Sequence, residues 1–208
     1  MPAVSPIAAP GPDDPATASR GLERDVAAGG VHCHVRPIRP DDAARLVAFH
    51  AHLSPQSVYM RFFTFHPTLS EAEVARFTQV DFEDRVALVV TAGDDIIAVG
   101  RFDRAPASTE AEVAFVVADE YQHHGLGSLL LDELAQAARQ HGVQWFTADT
   151  LAENHTMLDV FRHAGYPVTS SIEYGTVKLR FPLAVTDASR AAVAAREETR
   201  RFAPDGVE

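Results

Sequence analysis

Residues 110–134 read EAEVAFVVADEYQHHGLGSLLLDEL, an apolar run followed by a glycine-containing loop and a leucine-rich stretch. The run at 113–117 is short, β-branched and flanked by acidic residues, which predicts a buried strand. From Leu126 onward, apolar residues recur at intervals of three and four, which predicts one apolar helix face. Gly125 and Gly127 therefore stand where the helix begins. Because glycines let an anion approach the main chain and first-turn amides point toward it, this loop is either a phosphate cradle or a plain glycine turn.

A second informative segment, residues 153–166, reads ENHTMLDVFRHAGY. Asn154 is a good N-cap for a helix that buries Phe161 on its apolar side, and Gly165 is a natural helix stop. Taken alone, Asn154 could be a cap and nothing more.

The pattern Gln122-x-x-Gly125-x-Gly127, followed downstream by the Asn154 helix, resembles the acyl-coenzyme A signature of the GNAT N-acetyltransferases. The resemblance implies an α/β fold, the GNAT acyl-CoA N-acyltransferase fold, in which helices flank a mixed, mostly antiparallel central sheet. It also implies acetyl-CoA as cosubstrate, with the loop amides on its pyrophosphate and Asn154 on its pantetheine arm. The cofactor-binding residues predicted in this way are Phe115, Val116, Val117, Gln122, His123, His124, Gly125, Leu126, Gly127, Ser128 and Asn154.

The order of predicted elements divides the chain into three parts. Residues 1–30 are rich in proline, alanine, glycine and aspartate and are expected to form a disordered leader. Residues 31–183 carry a strand, two or three helices, three strands, a helix, a strand, a helix and closing strands, which matches the GNAT order. Residues 184–208 carry an alanine-rich helical tail that is expected to be frayed or loosely docked.

Local signals predict individual elements within the middle part. Residues 54–57 are predicted to begin a short helix, and Ser70 with Glu73 is predicted to form a capping box. Two β-branched runs around Gly93, at 85–91 and 96–102, predict a hairpin.

Composition excludes several classes of protein. The chain has 29 Asp plus Glu against 18 Lys plus Arg, and the formal net charge of −11 disfavours a nucleic-acid partner and suits a cationic one. No stretch approaches the roughly 18 apolar residues of a membrane span, so no membrane partner is expected. The single cysteine, Cys33, excludes an intrachain disulfide and indicates a reduced, cytoplasmic setting. The ten histidines show no four-ligand zinc spacing, so no metal is expected.

Amide formation from an acyl thioester requires an unprotonated amine, and a lysine side chain has an ordinary pKa of about 10.4. A general base is therefore needed, and the candidates are Glu110 and Glu112 at the start of the signature strand. Because side chains alternate along a strand, both point to one face and Ala111 points to the other. Glu112 is the predicted base because it lies nearer the expected thioester. The alternative is that both residues belong to a solvated acidic strand end.

The segments AEVAF at 111–115, Tyr59-x-Arg61-Phe62-Phe63 and VDFEDRVAL at 80–88 resemble the acetyltransferase domain of bacterial Pat-type protein-lysine acetyltransferases. The resemblance implies that Glu112 matches their catalytic glutamate and that the acceptor is a protein lysine. Two alternatives stay open: a small-molecule amine acceptor, and a non-catalytic acyl-CoA sensor.

One position departs from the wider superfamily. Phe161 stands where many GNAT enzymes carry a tyrosine that protonates the leaving thiolate. Tyr166 and Tyr174 remain as weaker candidates for that role.

Overall fold

An eight-stranded sheet forms the centre of the protein, and the computed structural model describes residues 22–201. The strands are β1 (Arg24–Ala28), β2 (Val31–Pro37), β3 (Arg85–Ala92), β4 (Asp95–Arg104), β5 (Glu110–Val117), β6 (Trp145–Leu151), β7 (Thr169–Glu173) and β8 (Thr176–Pro182). Their order across the sheet is β1-β2-β3-β4-β5-β6-β8-β7. Neighbours are antiparallel except β5 and β6, which run parallel. The predicted mixed, mostly antiparallel sheet is therefore present.

Six helices flank the sheet in residues 22–201. A 3-10 turn at Pro40–Asp42 leads into α1 (Ala43–His52), and α2 (Pro55–Phe62) and α3 (Glu71–Thr78) follow before β3. The remaining helices are α4 (Leu126–Gln140), α5 (His155–Arg162) and α6 (Asp187–Arg201). None of the helices in this range is both long and apolar enough to cross a membrane.

The predicted helix starts and the predicted hairpin are confirmed. The Ser54 hydroxyl accepts from the Ser57 amide at 3.1 Å and starts α2. Ser70 and Glu73 form the capping box of α3, with the Ser70 amide donating to Glu73 at 2.8 Å. Gly93, between β3 and β4, has a φ of 58°, the left-handed conformation that a tight hairpin turn requires.

Two hydrophobic cores lie on opposite faces of the sheet. The larger one packs α4 and α5 against the sheet, and its fully buried side chains include Phe102, Phe146 and Phe181. The smaller one lies under α1. Strand β5 has side chains on both faces of the sheet. Ala111, Val113 and Phe115 belong to the larger core, so the intervening side chains point to the other face.

A buried ion pair joins the end of β2 to the start of α1. Both terminal nitrogens of Arg36 donate to the Asp42 carboxylate at 2.7 Å, and the Arg39 amide donates to it at 2.8 Å. Burial by itself would raise the pKa of Asp42, but the hydrogen bonds from Arg36 and Arg39 hold it below its ordinary value. The pair fixes where the helical layer begins on the sheet.

Both ends of the described chain differ from the expectation. Residues 24–28 fall within the stretch predicted as leader, but they form β1, which pairs with β2 from Ala28↔Val31 to Arg24↔Val35. Residues 1–21 lie outside the described part. The tail helix α6 has the predicted position but is firmly docked: Arg196 binds Asp132 of α4 at 2.6 Å. Its small residues also pack so closely on Gly165 that a Cβ there would come within 2.8 Å of Ala192.

Candidate active site

A groove of about 640 Å³ opens where β5 and β6 part. The two strands pair only over Glu110–Glu112 of β5, although β5 continues to Val117 and β6 to Leu151. Because the ladder stops there, the later parts of the strands leave a cleft between them. The loop after β5, the first turns of α4 and α5, and one side of α2 complete its walls.

The glycine loop turns sharply into α4. His123 and Gly125 both have positive φ, 65° and 79°, and Gly125 is the N-cap without any side-chain cap. The first turn closes with the Leu129 amide donating to the Gly125 carbonyl at 3.0 Å, so the amides of residues 126–128 precede it and have no helical acceptor. A Cβ on Gly125 would meet nothing within 4 Å, so the space beside the loop is open. These amides and the helix dipole together suit an anion.

All of the predicted cofactor residues except His124 line this groove. They are Phe115, Val116, Val117, Gln122, His123, Gly125, Leu126, Gly127, Ser128 and Asn154. Asn154 also caps α5, because its side-chain oxygen accepts from the Met157 amide at 3.1 Å. The capping interpretation and the groove-lining one therefore both apply to Asn154.

The His124 side chain lies elsewhere. Its ring packs on the β1–β2 turn, so that a Cβ on Gly29 would come within 2.4 Å of the ring. Its Nδ1 is buried and has no hydrogen-bond partner among the described residues. The side chain thus connects the glycine loop to the start of the sheet and does not face the groove.

Helix α2 forms a wall of the groove that the sequence did not reveal. Asp119, just after β5, accepts from the Ser54 amide at 2.9 Å and from the hydroxyls of Ser54 and Ser57 at 2.6 and 2.7 Å. Gln122 donates to the Ser57 hydroxyl at 3.1 Å and to the Val117 carbonyl at 3.3 Å. Burial would raise the pKa of Asp119, but the bonds from Ser54 and Ser57 keep it lowered. These hydrogen bonds therefore hold helix α2 against the loop that leads into the glycine turn.

This attachment brings Met60 and Arg61 to the groove. Neither residue was given a role from the sequence, although Arg61 belongs to a segment that resembles Pat-type enzymes. The contacts that place them join residues more than sixty positions apart, which no local pattern could indicate.

The two candidate bases differ in their partners. Glu110 accepts from the Arg180 Nε at 2.6 Å, and the same guanidinium lies 3.7 Å from the centre of the Trp145 ring. Glu112 is exposed and makes no hydrogen bond or ion pair with any residue that the structure describes. It stands opposite Thr147, at the last paired position before β5 and β6 part. Glu112 is therefore the unpaired carboxylate of the two, and it lies on the strand that enters the groove without itself lining it.

The nearest acidic neighbour of Glu112 is already engaged. Asp103 pairs with Glu112 across β4 and β5, and it accepts from Arg101 at 2.8 Å and from Arg85 at 3.1 Å. Burial would raise the pKa of Asp103, but these two guanidiniums hold it below its ordinary value. Asp103 therefore remains a paired anion, whereas Glu112 has no such partner among the described residues.

The phenols named as substitutes for the missing tyrosine do not line the groove. Phe161 is buried in the core with its ring 5.6 Å from that of Phe115. The Tyr166 hydroxyl accepts from Arg139 at 3.2 Å, and Tyr174 is fully exposed in the β7–β8 turn. Tyr121, which the sequence analysis did not single out, does line the groove.

Taken together, these residues fit an elongated cofactor with one anionic end. The amides at the start of α4 suit a diphosphate, and the edge of β5 beyond Glu112 carries backbone groups without a β6 partner. Asn154 lines the same groove with an amide side chain. A free carboxylate, Glu112, lies at the other end of the same strand.

Comparison with known proteins identifies the family. A profile of the acetyltransferase (GNAT) domain matches residues 33–167. Acetyltransferase Pat of Mycolicibacterium smegmatis is 35% identical over 136 residues, which make up 64% of this chain and 40% of that protein.

Solved structures agree with the family match. The GNAT domain of S. lividans PAT has a TM-score of 0.73 and 44% sequence identity, covering 78% of this chain and 98% of that one. The structure of yncA from Salmonella typhimurium with acetyl-CoA has a TM-score of 0.61 at 16% identity, over 74% and 96% of the two chains, and is a likeness of fold alone. The predicted resemblance to Pat is confirmed, although the chain spans well under half of the M. smegmatis protein. With its domain profile, its sheet and its glycine loop in agreement, the chain belongs to the GNAT acetyltransferase family.

Proposed function

We propose that this protein is an acetyl-CoA-dependent N-acetyltransferase that acetylates a lysine side chain of a protein by direct transfer, with Glu112 as general base. One observation carries the proposal. The unpaired edge of β5 has free helix-start amides at its far end and an unpartnered carboxylate at its near end. Five residue steps along the strand separate Glu112 from Val117, or about 16 Å, so the two features suit the two ends of one long cofactor.

The cofactor is held mainly by backbone groups in this proposal. The amides of residues 126–128 bind its diphosphate, and the edge at 115–117 and the Asn154 side chain hold its arm. When bound, acetyl-CoA supplies a thioester as the acyl donor. Binding through amides explains how a loop with two histidines and no lysine or arginine can hold an anion.

Glu112 then acts on the acceptor. The incoming amine is an ammonium ion at neutral pH, and Glu112 takes one proton from it, directly or through one water. The freed nitrogen forms the new C–N bond as the C–S bond breaks. No tyrosine is needed at Phe161 in this scheme, because coenzyme A leaves as a thiolate that solvent can protonate.

The acceptor is proposed from two lines of support. The chain is 35% identical to the acetyltransferase Pat over their shared region, and the Pat-type resemblance implies a protein lysine. In addition, Glu112 is exposed on the sheet face and not at the bottom of an enclosed cavity, which leaves room for a macromolecular acceptor.

The test compares two glutamates of one strand. Purified wild type, Glu112→Gln and Glu110→Gln are each incubated with labelled acetyl-CoA and a cell lysate, and modified residues are identified by mass spectrometry. We expect lysine acetylation by the wild type, a loss of about 10²–10⁴-fold in kcat for Glu112→Gln with unchanged acetyl-CoA affinity, and little loss for Glu110→Gln.

Other outcomes would contradict parts of the proposal. Turnover on small amines without any modified protein would replace the acceptor class. Cofactor binding without turnover on any amine would indicate a sensor. Equal losses in the two variants would remove Glu112 from the role of base.

A further inference from the structure

We propose that Arg61 binds a carboxylate of the acceptor, so that the preferred acceptor presents an acidic group beside the amine that is acetylated. This inference rests on the proposed acetyltransferase function and names the acceptor chemistry of the same site. It differs from the expectation drawn from overall charge, by which an acidic protein selects a purely cationic partner.

The first support is the position of Arg61. It lies near the end of α2 and lines the main groove, and it also lines a small apolar cavity with Phe62, Ala114 and Val116. Strand β5 carries Ala114 and Val116 on the same face as Glu112, two and four residues further along. Arg61 therefore lies beside the proposed base, near the part of the groove where the thioester of acetyl-CoA is expected.

The second support is that this guanidinium lacks a partner. Arg61 makes no hydrogen bond or ion pair with the described residues, and its nearest aromatic contact is the Phe62 ring, 5.2 Å from the guanidinium carbon. Burial lowers the pKa of Arg61, and repulsion from Arg101 lowers it further. A half-buried cation without a hydrogen-bonded counter-ion is costly, so an anion from outside the chain would be bound favourably.

The third support is the local balance of charge. Arg85 and Arg101 both donate to Asp103, so that carboxylate attracts Arg61 only at a distance. Glu112 attracts Arg61 but does not contact it. When Glu112 takes a proton from the amine, its charge is lost and Arg61 keeps only the distant attraction of Asp103. This part of the site is thus locally cationic within a chain of net charge −11.

The cofactor is the less suitable source of the anion. A diphosphate at the start of α4 lies beyond Val117, whereas Arg61 also borders Ala114, about 10 Å earlier along β5. The arm between these points carries no charge. We therefore assign the carboxylate to the acceptor, either as a Glu or Asp side chain near the target lysine or as the carboxylate of a free amino acid.

The experiment measures selectivity as a ratio. Matched peptides carry one lysine with Glu or with Gln at the neighbouring positions, and free glutamate and glutamine form a second arm. For the wild type we expect kcat/KM to be about tenfold higher for the Glu peptide than for the Gln peptide. Arg61→Gln should bring the ratio close to one. Arg190→Gln, which removes one exposed guanidinium from α6, should leave the ratio intact.

The outcomes separate this inference from the proposed function. A wild-type ratio near one, or a high ratio that persists in Arg61→Gln, would overturn the role of Arg61 while leaving lysine acetylation in place. A ratio that depends on Arg61 only in the free amino acid arm would support carboxylate binding and overturn the protein acceptor. Absence of transfer to every amine, with acetyl-CoA still bound, would overturn both. Calorimetry with acetyl-CoA verifies that each variant is folded.

Discussion

Replacing Gly125 by alanine tests the glycine loop most sharply. Gly125 has a φ of 79°, where an L-residue pays about 1–2 kcal/mol, yet a Cβ there meets no neighbour within 4 Å. The cost is therefore backbone strain and not a clash. The loop can relieve it by rotating out of the left-handed region, which turns the amides of residues 126–128 away from their common direction.

Gly142, just after α4, is a matched control. Its φ is 75° and a Cβ there also meets nothing within 4 Å, so Gly142→Ala carries the same strain away from the groove. Gly142→Ala should lose about 1–2 kcal/mol of unfolding free energy, seen as a fall in Tm of a few degrees, and Gly125→Ala should lose less because its loop can rotate. Only Gly125→Ala should weaken acetyl-CoA binding, by about tenfold in Kd if 1.4 kcal/mol of the strain is relieved by misaligning the amides.

The assay is isothermal titration of both variants and the wild type with acetyl-CoA, alongside thermal denaturation. Suppose that Gly125→Ala loses clearly less stability than Gly142→Ala, which shows that its loop has rotated to relieve the strain, but binds acetyl-CoA as tightly as the wild type. The amides at the start of α4 would then not hold the diphosphate, and the reasoning would fail.

Two further predictions concern positions outside the groove. Gly29 and Gly93 both have a φ of 58°, but only Gly29→Ala places a Cβ against the His124 ring. Only Gly29→Ala should therefore weaken acetyl-CoA binding in calorimetry. Equal affinities of the two variants would show that the contact between Gly29 and His124 does not position the glycine loop. Asp42→Asn leaves Arg36 buried beside a neutral group and should cost about 3–5 kcal/mol in urea denaturation. Because the pKa of Asp42 is lowered in the folded protein, the stability that Asp42 contributes is present above its unfolded pKa of about 3.9 and is lost as the pH falls through its folded pKa. The stability of Asp42→Asn should not show this acid-induced loss. Parallel profiles of stability against pH for the wild type and the variant would contradict the assignment.

Elements with local signals were predictable from the sequence. The helix starts at Ser54 and Ser70 and the turn at Gly93 need only neighbouring residues to form, and they are found where they were expected. The glycine loop and the Asn154 cap were predictable for the same reason, because neighbouring residues along the chain determine each of them.

Elements stabilised by distant partners were not predictable. The segment Arg24–Ala28 has no clear alternation and becomes a strand through pairing with β2, where Ala28 is fully buried. The docking of α6 was also hidden, because its alanine-rich face is unremarkable until Gly165 provides a surface that small residues can approach closely.

The same distinction applies to the site. Glu110 and Glu112 are equivalent in spacing, and the difference between them comes from Arg180, seventy residues away, which binds Glu110 only. Arg61 reaches the groove because Asp119 and Gln122 hold α2 in place. Long-range hydrogen bonds of this kind carry no local sequence signature.

The central claim is that backbone amides at the start of α4 bind the diphosphate of acetyl-CoA, and hydrogen exchange measures this directly. Exchange is followed by mass spectrometry in the free protein and in the protein saturated with acetyl-CoA, with α3 (Glu71–Thr78) as an internal reference outside the groove. The account predicts slower exchange at residues 126–128 on binding and no change in α3. Saturation with acetyl-CoA that leaves exchange at residues 126–128 unaltered would contradict it.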